Sequence, residues 1–567
     1  MDVFGLLESE RGTDLTINHL AVLFFKMKQH NWGTLGDVLI SVSLANLTFL
    51  NVWSLLLASP YYEATKPAPP LRFIGFILNV LLLAAVYWVS ITLIRRSGKP
   101  WLLKIAKCIF VAILILPLNT LRMTFTSLSF RAIETAIGTP LITLISIVLS
   151  LAFLFVVIRY RDMILRASLV FLRGLSCFAI LTFGQSIWYV FSYHQPLVVS
   201  ADAVRDMKPP RQTASTPRVV WLLFDELDQE ITFTHRPPSI KLPEMDRFKE
   251  SAFVSGNAYP PSNATALSMP ALIDGTFVSK TDPVSPGEIM LRLGDTNEVV
   301  KWSEQKNVFS DAVQAGANTA VVGWYHPYCR VLADDLNSCY VSGDDTAQWS
   351  LFQVLVAQWE RTLYTVPLFQ SLAYSTGLID QLPRAAFFRQ HQTQTYLEVM
   401  EQAKSVAADK DFGLVLIHLP VPHPPGIYDP KTQTLTTARH HSYLDNLELA
   451  DRALGELRRS MEMAGTWDNT TVIITADHYW RVETWSGSGA WEPEEQSTLS
   501  KTKDHRIPFM IKMAGQKETY SYEQTFNTVL LRSLIGAIMH REIAEPAGIA
   551  NWLDANKTIG ESPHRQQ

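Results

Sequence analysis

Thr470-Thr471-Val472-Ile473-Ile474-Thr475-Ala476-Asp477-His478 decides how this chain is read. A β-branched, largely apolar run closes on an acid and an imidazole. Such a run suits a parallel strand covered on both faces. Ligands of open α/β sheets bind just past the carboxyl ends of the strands, which is where Asp477 and His478 stand. A strand followed by a polar turn fits the same residues, so partners elsewhere in the chain must decide.

Three other stretches supply partners. Val219-Val220-Trp221-Leu222-Leu223-Phe224-Asp225-Glu226 is again an apolar strand ending in acids. Adjacent carboxylates repel unless a cation holds them; a solvated turn is the alternative. Pro260 to Gly275 is a proline-rich loop followed by a hydroxyl-rich turn that can open a helix. A threonine there needs a metal or a base to become a nucleophile, and a helix N-terminus favours an anionic phosphate. Ser262 or Thr265 could equally serve as an N-cap. His418-Leu419-Pro420-Val421-Pro422-His423-Pro424-Pro425 follows an apolar run. Its prolines restrict both histidines, which either hold or protonate a phosphate or decorate a rigid surface loop. A fourth piece, Lys503 to Phe509, borders another strand.

From residue 218 onward, short apolar runs alternate with helical stretches, which indicates α/β architecture. Strands are expected at 219–224, 319–324, 412–418, 471–475 and 507–513. A helix is expected over 443–464, where Leu447, Leu449, Ala450, Leu454, Leu457 and Met461 recur at roughly helical spacing.

The N-terminal third is different. The chain has 567 residues, 48% of them hydrophobic and 18% charged, and the excess lies before about residue 195. Five apolar runs, near 35–59, 71–94, 102–121, 139–158 and 170–193, are long enough to cross a bilayer. The third is the weakest, with Lys104 and Lys107 in its first turns. Arg95, Arg96 and Lys99, and then Arg159, Arg161 and Arg166, crowd alternate connections, whereas 60–70 and 123–138 carry only Lys66 and Arg131. The positive-inside rule then puts the N-terminus in the cytoplasm and everything after 195 outside. No cleavable signal peptide is read at the polar start, and Ile17 to Gln29 reads as an interfacial segment or a lead-in to the first span. The net charge of −4 gives no reason to expect nucleic acid. Cys329 and Cys339, ten apart in the exported part, are expected to be bridged in an oxidising compartment.

The expected organisation is a bundle of five transmembrane helices (1–195), a proline-containing linker (196–217), an exported catalytic domain (218–555) and a tail (556–567).

In order along the chain, strand-acid, threonine loop, His-Pro loop, WDNTTVIITADH and HRIPFMIKMAG resemble the alkaline phosphatase/sulfatase superfamily over about 218–540. Spans preceding such a domain resemble the phosphoethanolamine transferases of lipid A and the lipoteichoic acid synthases. The resemblance implies an α/β/α sandwich with Thr265 as nucleophile. It implies Asp225, Glu226, Asp477 and His478, together with Thr265, as metal ligands, and His423 and His505 as phosphate-holding or proton-transferring residues. Thr265 opens T-A-x-S-x-P, similar to the ethanolamine enzymes, which implies zinc. Asp-His-Tyr at 477–479 is similar to the lipoteichoic acid synthases, which implies manganese as the alternative. A formylglycine sulfatase would need Cys or Ser in C-x-P-x-R, but Thr265, Leu267 and Met269 stand there.

The implied reaction takes a head-group phosphate from a membrane phospholipid, phosphatidylethanolamine first, onto Thr265 and then onto an envelope lipid or glycan. The implied location is a bacterial inner membrane with the catalytic domain in the periplasm. A phosphoglycerol transferase, a phosphodiesterase or phosphatase, and a non-catalytic lipid-binding scaffold are the competing expectations.

Overall fold

A computed structural model describes residues 34–58, 70–113, 166–192, 216–285, 287–342, 349–366, 383–438, 441–485, 493–499 and 504–557, with scattered positions between 119 and 163 and residues 369 and 378. By contacts the chain forms two compact units: Met1–Leu50 with Ile77–Gln185, and Asn51–Phe76 with Ser186–Gln567.

In the first unit the usual polarity is inverted. Leu81, Leu82, Val86, Val89 and Leu93 point outward, while Asn46 and Thr182 are buried and bonded to each other, Thr182 Oγ1 donating to Asn46 Oδ1 at 3.0 Å. Arg95 pairs with Asp37. Polar side chains that find partners inside an apolar bundle are what a lipid environment demands. Two helices, Pro70–Ser97 and Arg166–Ser192, are long and apolar enough to cross a membrane. The bent pair Leu35–Thr48 and Leu50–Leu56, with a 58° angle, would make a third. Of the five expected spans, the third is described only as Pro100–Ile113, shorter than a crossing. Most of the fourth lies outside the described residues, as do residues 17–29, most of the linker and the tail from 558. The described helices suit a membrane anchor; they do not establish five spans.

The second unit is built on a nine-stranded mixed sheet. Its strands, in chain order, are β1 (Arg218–Asp225), β2 (Phe253–Tyr259), β3 (Thr319–Gly323), β4 (Ser338–Val341), β5 (Leu414–Pro422), β6 (Thr470–Ala476), β7 (Ile507–Lys512), β8 (Tyr520–Ser521) and β9 (Phe526–Asn527). The spatial order is β8-β2-β7-β6-β1-β5-β3-β4, with β9 also paired to β2. Strands β6, β1, β5, β3 and β4 run parallel; β7 runs antiparallel to both β6 and β2. Every residue of β5 and β6, and of β1 after Arg218, is buried. That explains why these strands read as continuous apolar runs rather than alternating ones.

Helices Pro383–Ala408 and Tyr443–Met463 pack on each other and on β5; Thr265–Asp274 and Val308–Gln314 pack on Leu531–Met539. The expected 443–464 helix is found as Tyr443–Met463, opened by a Ser442 capping box. The expected strand 412–418 runs on to Pro422, so part of the His-Pro loop is strand. Strands β2 and β4 were not legible, since Ser255, Gly256 and Asn257 interrupt any apolar pattern in β2.

Parallel pairing brings the carboxyl ends of β6, β1, β5 and β3 to one edge. Ala476 is in register with Phe224, so Asp477 falls beside Asp225. Leu223 is in register with His418. Because β7 is antiparallel, it starts at that same edge, with His505 just ahead of Ile507.

Candidate metal centre and nucleophile

Five buried groups meet at this edge. Asp225 Oδ1 lies 3.5 Å from His478 Nε2, and Asp477 Oδ2 lies 3.4 Å from the same nitrogen. Thr265 Oγ1 lies 3.2 Å from His478 Nε2 and 3.5 Å from Asp225 Oδ2. His418 Nε2 lies 3.6 Å from Asp225 Oδ2. His478 Nδ1 is 2.9 Å from the Tyr479 carbonyl. Only an N–H can pair with a carbonyl, so Nδ1 carries the proton and Nε2 presents its lone pair to the carboxylates. A carbonyl partner behind the imidazole is the arrangement that orients a metal-binding histidine.

The donor set fits a cation. Asp225 Oδ1, Asp477 Oδ2, Glu226 Oε2 and His418 Nε2 are buried without a hydrogen-bond partner among the described residues, an arrangement that is costly for neighbouring carboxylates unless positive charge compensates them. Two groups place one ligand atom per residue within 4.8 Å of one another: Asp225, Asp477 and His478, and Asp225, Glu226 and His423. Oxygen with one or two imidazole nitrogens suits zinc and manganese alike.

The electrostatics agree. Burial would raise Asp225, but the imidazoles of His423, His418 and His478 outweigh it and hold this carboxyl well below its usual range. Asp477 is raised, by burial and then by Asp225. Burial pushes Glu226 far up, only partly offset by Arg481. Two carboxylates crowded beside a third thus resist ionising in the absence of a cation.

The backbone is shaped to this end. Glu226 is held in the left-handed region (φ 71°), a costly conformation for a side chain of its size. Its N–H donates to Asp477 Oδ1 at 3.1 Å, its carbonyl accepts from Tyr443 Oη at 2.8 Å, and its Oε1 accepts the Arg481 N–H at 2.6 Å. Thr265 is the first residue of its helix, after extended Ala264, and no side chain caps that end. The capping alternative therefore does not hold for Thr265: its hydroxyl faces Asp225 and His478. Ser262 contributes its carbonyl, which accepts from Ser268 Oγ. Gly275 (φ 70°) ends the helix in the left-handed conformation that favours glycine.

The sequence-predicted residues divide. Asp225, Thr265, Asp477 and His478 are brought together. Glu226 and His423 join Asp225 in the second group. His423 donates from Nδ1 to the Pro424 carbonyl at 2.7 Å, and burial lowers its pKa to about 4, so a neutral ring turns Nε2 toward the acids. His505 belongs to neither group; its ring centroid lies 4.1 Å from that of Tyr479. Cys329 and Cys339 are disulfide-bonded.

Residues that the sequence reading passed over also line the site. Tyr328 Oη is 2.9 Å from His418 Nδ1. His326 Nε2 donates to the Thr265 carbonyl at 3.1 Å, and burial lowers its pKa to about 3. Both follow β3, and the strand-end rule that picked Asp225 and Asp477 would have found them.

The site thus joins a buried carboxylate–imidazole nest to a helix-terminal hydroxyl at the edge of a mixed α/β sheet. The chain belongs to the sulfatase family: the family's model, described as Sulfatase, matches residues 217–538, more than half of the chain. Similar solved structures include the phosphonate monoester hydrolase of Agrobacterium radiobacter (12% identity, 56% of this chain and 74% of that one, TM-score 0.33). Others are an alkaline phosphatase superfamily protein from Vibrio parahaemolyticus (13%, 60% and 74%, 0.33) and the PsFucS1 sulfatase from Pseudoalteromonas sp. (13%, 57% and 68%, 0.35). Nothing about activity follows from similarities this distant. The search of curated proteins found no match.

Proposed function

We propose that this chain is a metal-dependent transferase that moves a phospholipid head-group phosphate, phosphoethanolamine first, through a phosphothreonine at Thr265 to an envelope lipid or glycan. The observation that carries the reading is the Thr265 hydroxyl, 3.2 Å from His478 Nε2 and 3.5 Å from Asp225 Oδ2, at the start of a helix. A divalent cation held by Asp225, Asp477 and His478, zinc in the first instance and manganese in the second, would supply the charge that favours the threonine alkoxide.

Thr265 Oγ1, its proton given up to solvent, attacks phosphorus as the alkoxide, and the ester bond to diacylglycerol breaks. His505 is assigned to protonate the leaving oxygen. His423 is neutral, its Nδ1 bonded to the Pro424 carbonyl, which suits it to take the proton from the incoming acceptor hydroxyl rather than to give one. That hydroxyl attacks the phosphothreonine, and Thr265 is released. The helix N-terminus stabilises the phosphate charge in both steps. The apolar helices support a membrane anchor, which raises the effective concentration of a lipid donor. The periplasmic face of a bacterial inner membrane is the location we assign.

Thr265→Ala removes the nucleophile, and with it transfer of labelled head group from phosphatidylethanolamine, while folding and metal content stay normal. Unimpaired turnover in that variant sinks the assignment. With the unmodified protein, label released as free head-group phosphate would make it a hydrolase instead, and label retained on diacyl lipid in every condition would favour a scaffold.

A further inference from the structure

The helix Leu351–Leu363, between β4 and Pro383–Ala408, takes no part in the site, and its polarity is inside out. Leu351, Phe352, Trp359 and Leu363 are exposed, Phe352 by 71%. Positions 352, 355/356, 359 and 363 share one face by helical spacing, and there Leu355 and Val356 are half-buried. The buried positions are Val354, Gln358, Glu360 and Thr362, three of them polar. A helix at the edge of a water-soluble domain buries its apolar face; this one presents it.

The buried side packs on chain that continues into a membrane-length helix. Gln358 Nε2 donates to the Arg72 carbonyl at 2.8 Å, and Asn51 Nδ2 donates to the Arg361 carbonyl at 3.3 Å. A Cβ on Gly75 would fall 2.6 Å from Val354 Cγ1, so the Gly75 backbone packs directly against the Val354 side chain. Arg72 and Gly75 lie in the first two turns of Pro70–Ser97. In the same compact unit, Phe73 stacks on Tyr189 at 5.0 Å, and Trp188 and Phe191, at the end of the other membrane-length helix, are widely exposed. Exposed aromatics gathered at the ends of apolar helices mark the level where a bilayer meets water.

We propose that Leu351–Leu363 is a membrane-interface helix. Its apolar face lies in the headgroup–acyl boundary of the leaflet that surrounds the start of Pro70–Ser97. The occupant of that face is lipid, because the helix packs on the first turns of Pro70–Ser97, itself long and apolar enough to need lipid. The sulfatase-like domain thus grips the bilayer through an insertion of its own, besides its connection to the spans. Cys339 of β4, the strand from which the chain runs toward this helix, is disulfide-bonded to Cys329, next to Tyr328 of the site.

The test uses the full-length protein with Cys108 and Cys177 replaced by Ala. Single cysteines are placed at Phe352, Leu363 or Met463 and labelled with an environment-sensitive fluorophore. Met463 is 85% exposed among Lys404, Arg459 and Glu462 and serves as the reference. The proteins are reconstituted into phosphatidylethanolamine–phosphatidylglycerol vesicles containing lipids with quenchers at graded depth. Labels at 352 and 363 are quenched most by the shallow acyl positions, about 5–10 Å into the boundary, and the label at 463 is not. Quenching at 352 and 363 no stronger than at 463 overturns the proposal, as does energy transfer between labels on two copies, which would put a second chain on this face. Leu351→Cys replaces whichever variant fails to fold. The readout needs no catalysis, so it stands apart from the reaction proposed above.

Discussion

Asp477→Asn separates the holding of a cation from the folding of the domain. Asp477 Oδ1 accepts the N–H groups of Glu226 at 3.1 Å and His478 at 2.8 Å, and an amide oxygen keeps both. Its Oδ2 has no hydrogen-bond partner among the described residues and sits with Asp225 and His478 in a group whose ligand atoms lie within 4.8 Å of one another. At an effective dielectric of about 20, two carboxylates at that distance repel by about 3–4 kcal/mol. In metal-free protein, removing one charge therefore stabilises by up to that amount, less whatever protonation of Asp477 already relieves. With metal the order reverses. Wild type gains about 2.7 kcal/mol when free cation stands about a hundredfold above its Kd, a rise of roughly 3–5 °C in melting temperature, and the variant gains little. The assay is thermal melting by tryptophan fluorescence of full-length protein in detergent, with chelator, zinc or manganese. Because Asp477 and Glu226 are both raised, the native state binds more protons at these two groups than the unfolded chain does. Their contribution to metal-free stability thus falls as pH rises through their folded pKa values, and the metal-induced rise grows over the same range. A variant that melts well below wild type in chelator, or responds to cation as wild type does, would refute the reasoning.

Three further outcomes are expected. His326, with its pKa lowered from 6.5 to about 3 by burial, costs stability as pH falls below its ordinary value, by up to about 1.4 kcal/mol per pH unit; His326→Gln should flatten the acid limb of a melting-temperature profile, and an unchanged slope contradicts this. Gly275→Ala places a Cβ at φ 70°, 3.2 Å from Arg532 Cδ, and should cost about 1–2 kcal/mol in chemical denaturation, a neutral result meaning that the helix end is not constrained as described. Replacing Cys329 and Cys339 together by alanine opens the 10-residue separation they close and should lower stability by about 2–4 kcal/mol. Reductant should lower wild-type stability equally, and a melting curve indifferent to both treatments removes the bridge from the account.

Much of the site was legible one strand at a time, because a buried parallel strand leaves an apolar run and its carboxyl end leaves whatever chemistry follows. That is how Asp225, Asp477 and His478 stand out, and how the α/β class of the C-terminal part is readable. Thr265 needed more: its residues fit a cap as well as a nucleophile, and resemblance to a family of enzymes tipped the choice. Its hydroxyl is placed by the pairing of β6 with β1 and by the helix start after Ala264, neither of which has a local signature. Strand order was equally hidden. The antiparallel entry of β7 brings His505 to the edge, yet leaves it against Tyr479 rather than among the acids. Local periodicity reports which faces a segment buries, and so determines the elements, the apolar N-terminal helices and the acids at strand ends. Register, tautomer and the meeting of residues more than 200 positions apart depend on pairing between segments, and only the folded chain decides them.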